Sequence, residues 1–208
     1  MRVSRAEAAK SRERIIEVAA KLFRERGFNG IGVAELMKVA GLTHGGFYGH
    51  FASKEDLIAQ ACEHALKGSL EALQQAAEHG GENALSAVAT AYLSRTHRDQ
   101  PGKGCTLAAL GAEAARHDSP VRSAFTQSVR SVIEVLTRLQ PGKSNREKRE
   151  RALAIYASMV GAIVLARAVD DADLSEDVLK SVLASIAHPV LPLKTRGKDS
   201  SHPKGPKG

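Results

Sequence analysis

An all-helical fold is predicted by three observations. Apolar residues recur with a period near 3.6 through most of the chain, sustained apolar and polar alternation is absent, and capping residues, glycines and prolines fall where helical stripes begin and end. The 208 residues, 43% hydrophobic and 25% charged, suit a soluble globular protein of one or two domains with a sizeable core.

The first helix carries Ile15, Ile16, Ala19, Leu22 and Phe23 as one stripe and stops at Gly27. Ser4 and Glu7 have capping-box spacing and offer one start; Ser11 offers another. A short second helix, Val33 to Ala40, packs Leu36 and Met37 and ends at Gly41, with Gly32 as a weak cap. Thr43 caps a third helix reaching about His50. Ser53 opens a long fourth, with Asp56 at the reciprocal capping position and Leu57, Ile58, Ala61, Leu66, Leu70 and Leu73 on its apolar face. Longer helices follow at about 82–97, 105–117, 119–139, 145–169 and 175–187. Ser119 with Pro120, Pro141 with Gly142, Ser144 with Glu147, and His188 with Pro189 mark their boundaries. From 194 the chain reads KTRGKDSSHPKGPKG, too poor in apolar residues to offset its ordering entropy, so a disordered basic tail is expected. The expected domains are residues 1–52, residues 53–188 (whose first helix bridges both) and a tail at 189–208.

The net charge of +7 is unevenly placed. Residues 1–60 hold 10 basic against 7 acidic residues, residues 61–187 balance at 15 each, and residues 188–208 hold 5 against 1. Basic ends are the footprint of a polyanion binder. No apolar run approaches the roughly 20 residues of a membrane span, and the opening MRVSRAEAAK has no apolar block after its charges, so a cytoplasmic location and no membrane are expected. Cys62 and Cys105 lack Cys-x-x-Cys spacing and read as free thiols. His44 and His50, six apart, fall on different faces of a helix and make a poor metal pair. No metal, no cofactor and no enzyme activity are expected, since no nucleophile, base and acid form a recognisable set.

The stretch THGGFYGHF, residues 43–51, puts three glycines into a short helix at roughly 1 kcal/mol of propensity each. Two short helices joined by the tight turn Gly41, Leu42, Thr43 form a helix-turn-helix arrangement, whose second member enters the DNA major groove. Against a duplex, Gly45 and Gly46 remove the Cβ bulk that would hold the backbone off the phosphates, while Phe47 and Phe51 anchor the segment.

RERIIEVAAKLFRERGFNGIGVAELMKVAGLTHGGFYGHFASKEDLI, residues 12–58, closely resembles the amino-terminal domain of the TetR (tetracycline repressor) family of bacterial transcription regulators, with AGLT, FYGHF and SKEDL in order. The resemblance implies that Thr43 and His44 lie near base edges and phosphates, and that Tyr48, His50 and Lys54 hold the DNA backbone. Few side chains here are long enough to read bases, so His44 is the best reader, with DNA shape and a basic arm at Arg2, Arg5, Lys10 and Arg12 beside it. A repressor acting on an operator is the expected function; a non-specific architectural DNA binder and, behind it, an enzyme are the alternatives.

A neutral helical second domain suggests effector sensing and dimerisation. The resemblance implies that the last two helices pair across a homodimer. ALAIYASMVGAIVLA, residues 152–166, supplies small residues around Gly161 beside Tyr156 and Val164, and Val178, Leu179 and Val182 extend the expected interface on the last helix. Two-fold symmetry then predicts inverted half-sites in double-stranded DNA. Cys105, opening a helix after the basic loop at Lys103, has the features of a reactive thiol; a small buried hydrophobe is the plainer reading. The other effector expectation is an unidentified small apolar ligand in a cavity lined by Tyr92, Leu110, Phe125 and Met159.

Overall fold

The computed structural model describes residues 4–117 and 119–187, and every regular element within them is helical. Helix α1 (Arg5–Arg26) starts at Ser4 rather than Ser11. The Ser4 hydroxyl accepts the Glu7 N–H at 3.2 Å and the Glu7 carboxylate accepts the Ser4 N–H at 2.8 Å, so the box satisfies two orphaned donors. Helix α2 (Val33–Val39) follows, and the chain reverses at Gly41, whose φ of +71° suits glycine and where a Cβ would lie 3.1 Å from the Arg14 guanidinium.

The third element corrects the expected α-helix. His44–Gly49 is wound as a 3-10 helix, with the Gly46 N–H bonded to the Thr43 carbonyl and the His50 N–H to the Phe47 carbonyl, each three residues back. Thr43 occupies the cap position in an extended conformation, yet its hydroxyl makes no capping bond. Three glycines in six residues weaken the α conformation, and the segment is held by its aromatics instead. The Phe47 and Phe51 rings stack at 5.6 Å and are buried, about 1.5–3 kcal/mol for each ring.

Helix α3 (Lys54–Gly80) opens at Ser53, whose hydroxyl accepts the Asp56 N–H at 3.1 Å; the Asp56 carboxylate turns back to the Ala52 N–H, one residue earlier than a capping box requires. At 1.5 Å per residue this helix runs about 40 Å. Its start packs Leu57, Ile58 and Ala61 into a first core with α1 and α2, and Leu73 reaches a second core formed further along the chain.

The helix expected over 82–97 divides into α4 (Ala84–Tyr92) and α5 (Arg95–Asp99), because Ser94 is extended and caps α5 through the His97 N–H. Then come α6 (Thr106–Ala114), α7 (Ser119–Arg138), α8 (Asn145–Ala168) and α9 (Ala172–Ala187). Helix α9 begins earlier than expected because the Asp171 carboxylate accepts the Leu174 N–H at 2.9 Å. The first core includes Leu110 and Ala114 from α6 and Val121 and Phe125 from α7, so the two regions share packing. Helix α8 is long and apolar enough to pass as a membrane span by length and composition alone, a test that the core helix of a soluble protein also passes. Its Tyr156, Met159 and Ile163 lie in the second core. Ser119 is the first residue of α7, and its side chain, Arg2, the stop at His188 and Pro189, and the tail at 189–208 lie outside what is described.

Candidate nucleic-acid interface and effector cavity

The face carrying the 3-10 segment is polar and open. Thr43 and His44 are exposed, as is Tyr48 at 71%, while Phe47 beneath is buried and meets the Tyr48 ring edge-on at 5.2 Å. Phe47 fixes the backbone and so leaves the hydroxyl of Tyr48 on the outside. A Cβ at Gly45 or Gly49 would meet nothing within 4 Å, and one at Gly46 would make only ordinary contact, 3.8 Å from Met37 and Thr43. None of these three has a positive φ. The fold therefore does not require the glycines of this segment, in contrast to Gly41.

Lys54 is half-buried in the first turn of α3, where the helix dipole adds to its attraction for anions. His50, also half-buried, closes the segment beside Phe51. Arg5 is exposed in the first turn of α1. Arg12 is already engaged: its guanidinium lies 5.3 Å from the Phe51 ring centroid and donates to the Gln60 side chain, so it clamps α1 to the start of α3.

The second site is a cavity of about 570 Å³ between α1, α3, α4, α7, α8 and the 97–105 loop. Its size falls in the range of small-molecule sites. Leu73, Val88 and Val132 supply apolar wall; Tyr92, Cys105 and Tyr156 supply the polar groups. The Cys105 sulfur lies 4.0 Å from the Tyr156 hydroxyl, and the residue is 7% exposed. Burial raises the pKa of both Tyr92 and Tyr156 well above the ordinary phenol value, so both are protonated donors at neutral pH.

His97 organises the loop. Its Nδ1–H donates to the Tyr92 carbonyl and its Nε2 accepts the Cys105 N–H at 2.7 Å, which fixes a neutral imidazole, and burial lowers its pKa below the ordinary 6.5. Arg167 on α8 donates to the His97 and Arg98 carbonyls at 2.6 and 2.9 Å. Cys62, by contrast, is buried in the first core with its pKa pushed up to about 12 by that burial, and is an inert thiol.

The cavity corrects three expected lining residues. Leu110 and Phe125 belong to the first core at the junction of the two regions, and Met159 is fully buried in the second core; of the expected set, Tyr92 and Cys105 face the cavity. A helix apolar nearly all round does not reveal which side faces a void. Arg24 was missed. It lines the cavity from α1, and its Nη1 reaches the Gly104 carbonyl, 80 residues away, at 3.3 Å; no local pattern marks such a contact.

The expected interface residues divide in the same way. Tyr156 and Leu179 face the subunit interior, which removes them from an intersubunit face. Val164 is 45% exposed, Gly161 has open space where a Cβ would be, and Val178 and Val182 are half-buried. Leu165 at 57%, with Leu153 and Leu174, adds exposed apolar surface on α8 and α9.

Comparison with known proteins agrees with this architecture. Residues 15–61 match the family model of bacterial regulatory proteins of the tetR family, and residues 81–182 match the tetracyclin repressor-like C-terminal domain. The HTH-type transcriptional repressor NemR of Escherichia coli is 29% identical over 191 residues, which cover 87% of this chain and 96% of NemR. The HTH-type transcriptional repressor BepR of Brucella suis is 38% identical over 85 residues, 41% of each chain. The crystal structure of reduced Escherichia coli NemR superposes with a TM-score of 0.70 at 26% identity, covering 85% of this chain and 95% of that one. A TetR-family regulator from Cytophaga hutchinsonii shares the fold at a TM-score of 0.72 and 22% identity, covering 90% and 97%. Two domains of one family, matched in order along the chain and carried by relatives of the same length and fold, identify it: the chain belongs to the TetR family of bacterial transcription regulators.

Proposed function

We propose that the protein is a homodimeric, cytoplasmic repressor that grips an operator of inverted half-sites and is released when an effector occupies the cavity. The observation that carries the DNA reading is the glycine pattern: Gly45 and Gly49 are unnecessary to the fold yet sit on an open polar turn, as a backbone pressed against phosphate requires. On this reading Thr43 and His44 approach base edges, while Gly45, Gly46, Tyr48, His50, Lys54 and Arg5 meet the sugar-phosphate chain. Arg12 positions the segment by clamping Phe51. The dimer pairs the exposed face of α8 and α9 through Gly161, Val164, Val178 and Val182, which sets half-site centres about 34–36 Å apart or a multiple of that distance.

The test is gel-shift titration of the promoter beside the protein's own gene against random DNA at physiological salt. A preference for the promoter is expected. Equal binding would favour an architectural role, and no binding at all would remove the DNA reading.

A second mode of release, modification of Cys105, is supported by the place of its sulfur on the cavity wall and its backbone link to His97. Mass spectrometry after mild electrophile treatment tests it. Loss of operator binding with both Cys105 and Cys62 unmodified would exclude thiol chemistry and leave reversible ligand binding.

A further inference from the structure

The lining of the cavity contains Arg24 and Lys103 but neither aspartate nor glutamate. Arg24 is half-buried, its Nε is shielded from solvent with no hydrogen-bond partner, and its guanidinium makes one hydrogen bond, at 3.3 Å, to the Gly104 carbonyl. Among the described residues no carboxylate lies within ion-pair distance of it. Its neighbour Glu25 attracts it through space without bonding to it: that carboxylate lies 3.9 Å from Lys21 and packs so closely on Gly102 that a Cβ there would be 2.4 Å from it. The Tyr92 hydroxyl is likewise buried without a partner on the same cavity wall. A half-buried guanidinium whose Nε has no acceptor, and a buried hydroxyl without one, each carry a cost that an anionic acceptor lowers.

We propose that the cavity takes a small apolar monocarboxylic acid, with its carboxylate received by Arg24 and the Tyr92 hydroxyl and its hydrocarbon part lying against Leu73, Val88 and Val132. One guanidinium and one neutral donor match a single negative charge, Lys103 adds positive charge at the rim, and Leu73, Val88 and Val132 leave an apolar stretch for the hydrocarbon part. Because Arg24 belongs to α1, the helix that also carries the DNA-binding head, the ligand touches the head directly. The proposal rests on the reading of the cavity as the effector site.

The experiment is calorimetric titration of the full chain with octanoate, 4-phenylbutanoate and 1-naphthoate, each paired with its primary amide. At least one acid is expected to bind about tenfold or more tightly than its amide, as loss of a charge-assisted hydrogen bond implies. Arg24→Gln is expected to abolish that preference, Arg24→Lys to retain part of it, and Gly68→Trp, which fills open space on the cavity wall, to abolish binding of acid and amide alike. Circular dichroism and thermal melts verify folding of each variant. Equal binding of every acid and its amide, no binding by any acid, a preference that survives Arg24→Gln, or binding unaffected by Gly68→Trp would each overturn the proposal. Polarisation of labelled operator separates the two readings. An acid that binds through Arg24 without releasing DNA refutes the effector reading alone, and release by amides but not acids refutes the ligand class alone.

Discussion

Replacing Gly45 with alanine separates what the fold needs from what DNA needs. At this position the backbone lies outside the positive-φ region and a Cβ would meet no atom within 4 Å, so the substitution adds no strain to the folded chain and removes conformational freedom from the unfolded one. The expected gain is about 0.4–1 kcal/mol, seen as a melting temperature higher by about 1–4 °C for a chain of this size. Gly41→Ala is the control with the opposite sign, because its φ of +71° and the guanidinium 3.1 Å from the new Cβ both oppose a side chain; it should lose more than about 1 kcal/mol. Against the operator the order reverses for Gly45. A methyl group between backbone and phosphate lengthens at least one charge-assisted hydrogen bond, and fluorescence polarisation at fixed salt should show affinity lower by about tenfold or more. An alanine variant that is stabilised and binds DNA as tightly as the parent would refute close approach as the reason for the glycine. A variant destabilised as much as Gly41→Ala would instead assign the glycine to the fold.

Three further outcomes follow from the geometry. Lys54→Ala should weaken DNA binding about equally across sequences and reduce the slope of log K against log salt by about one, whereas His44→Ala should change sequence preference at little cost in slope; the salt titration distinguishes them. Val164→Glu places a carboxylate on the exposed face of α8, counted twice by symmetry, and should shift sedimentation from dimer to monomer while circular dichroism stays unchanged; an intact dimer would remove Val164 from the interface. The lowered pKa of His97 means that, between its folded value and 6.5, the unfolded chain binds a proton that the folded chain refuses, so this residue makes stability fall as pH drops through that window and has little effect above it. Urea midpoints at about pH 5.5 and 7.5 should differ more for the parent than for His97→Gln, and equal differences would refute the assignment.

The head was legible because its chemistry is local. Ser4 with Glu7, Ser53 with Asp56, Gly41 in the turn and the buried pair Phe47 and Phe51 act over a few residues, and each appears in the structure near its expected place. The tightening of His44–Gly49 into a 3-10 helix is not legible in a cap residue such as Thr43, which can precede either winding over so short a span. The body was less legible because its informative contacts are distant. Asp171 caps α9 and brings the exposed Leu174 into the helix, a signal that was present in the sequence and passed over. Phe125 and Met159 were placed in the cavity because apolarity alone marks a residue as buried without saying against what.

The structure also bears on how a cavity in the body reaches a head that touches DNA. Helix α1 meets both. Arg12 near its start clamps Phe51 and Gln60 beside the 3-10 segment, and Arg24 near its end holds the Gly104 carbonyl of the loop that carries Cys105. Just beyond α1, the Phe28 N–H donates to the Glu113 carboxylate of α6 at 2.8 Å. Allosteric couplings are typically about 1–3 kcal/mol, and a hydrogen bond to a charged group is worth about 1.5–3 kcal/mol. A ligand that gives the unpartnered Arg24 Nε an acceptor therefore supplies a differential energy of that size at a single contact, provided it does so in the orientation of α1 that releases DNA and not in the one that binds it.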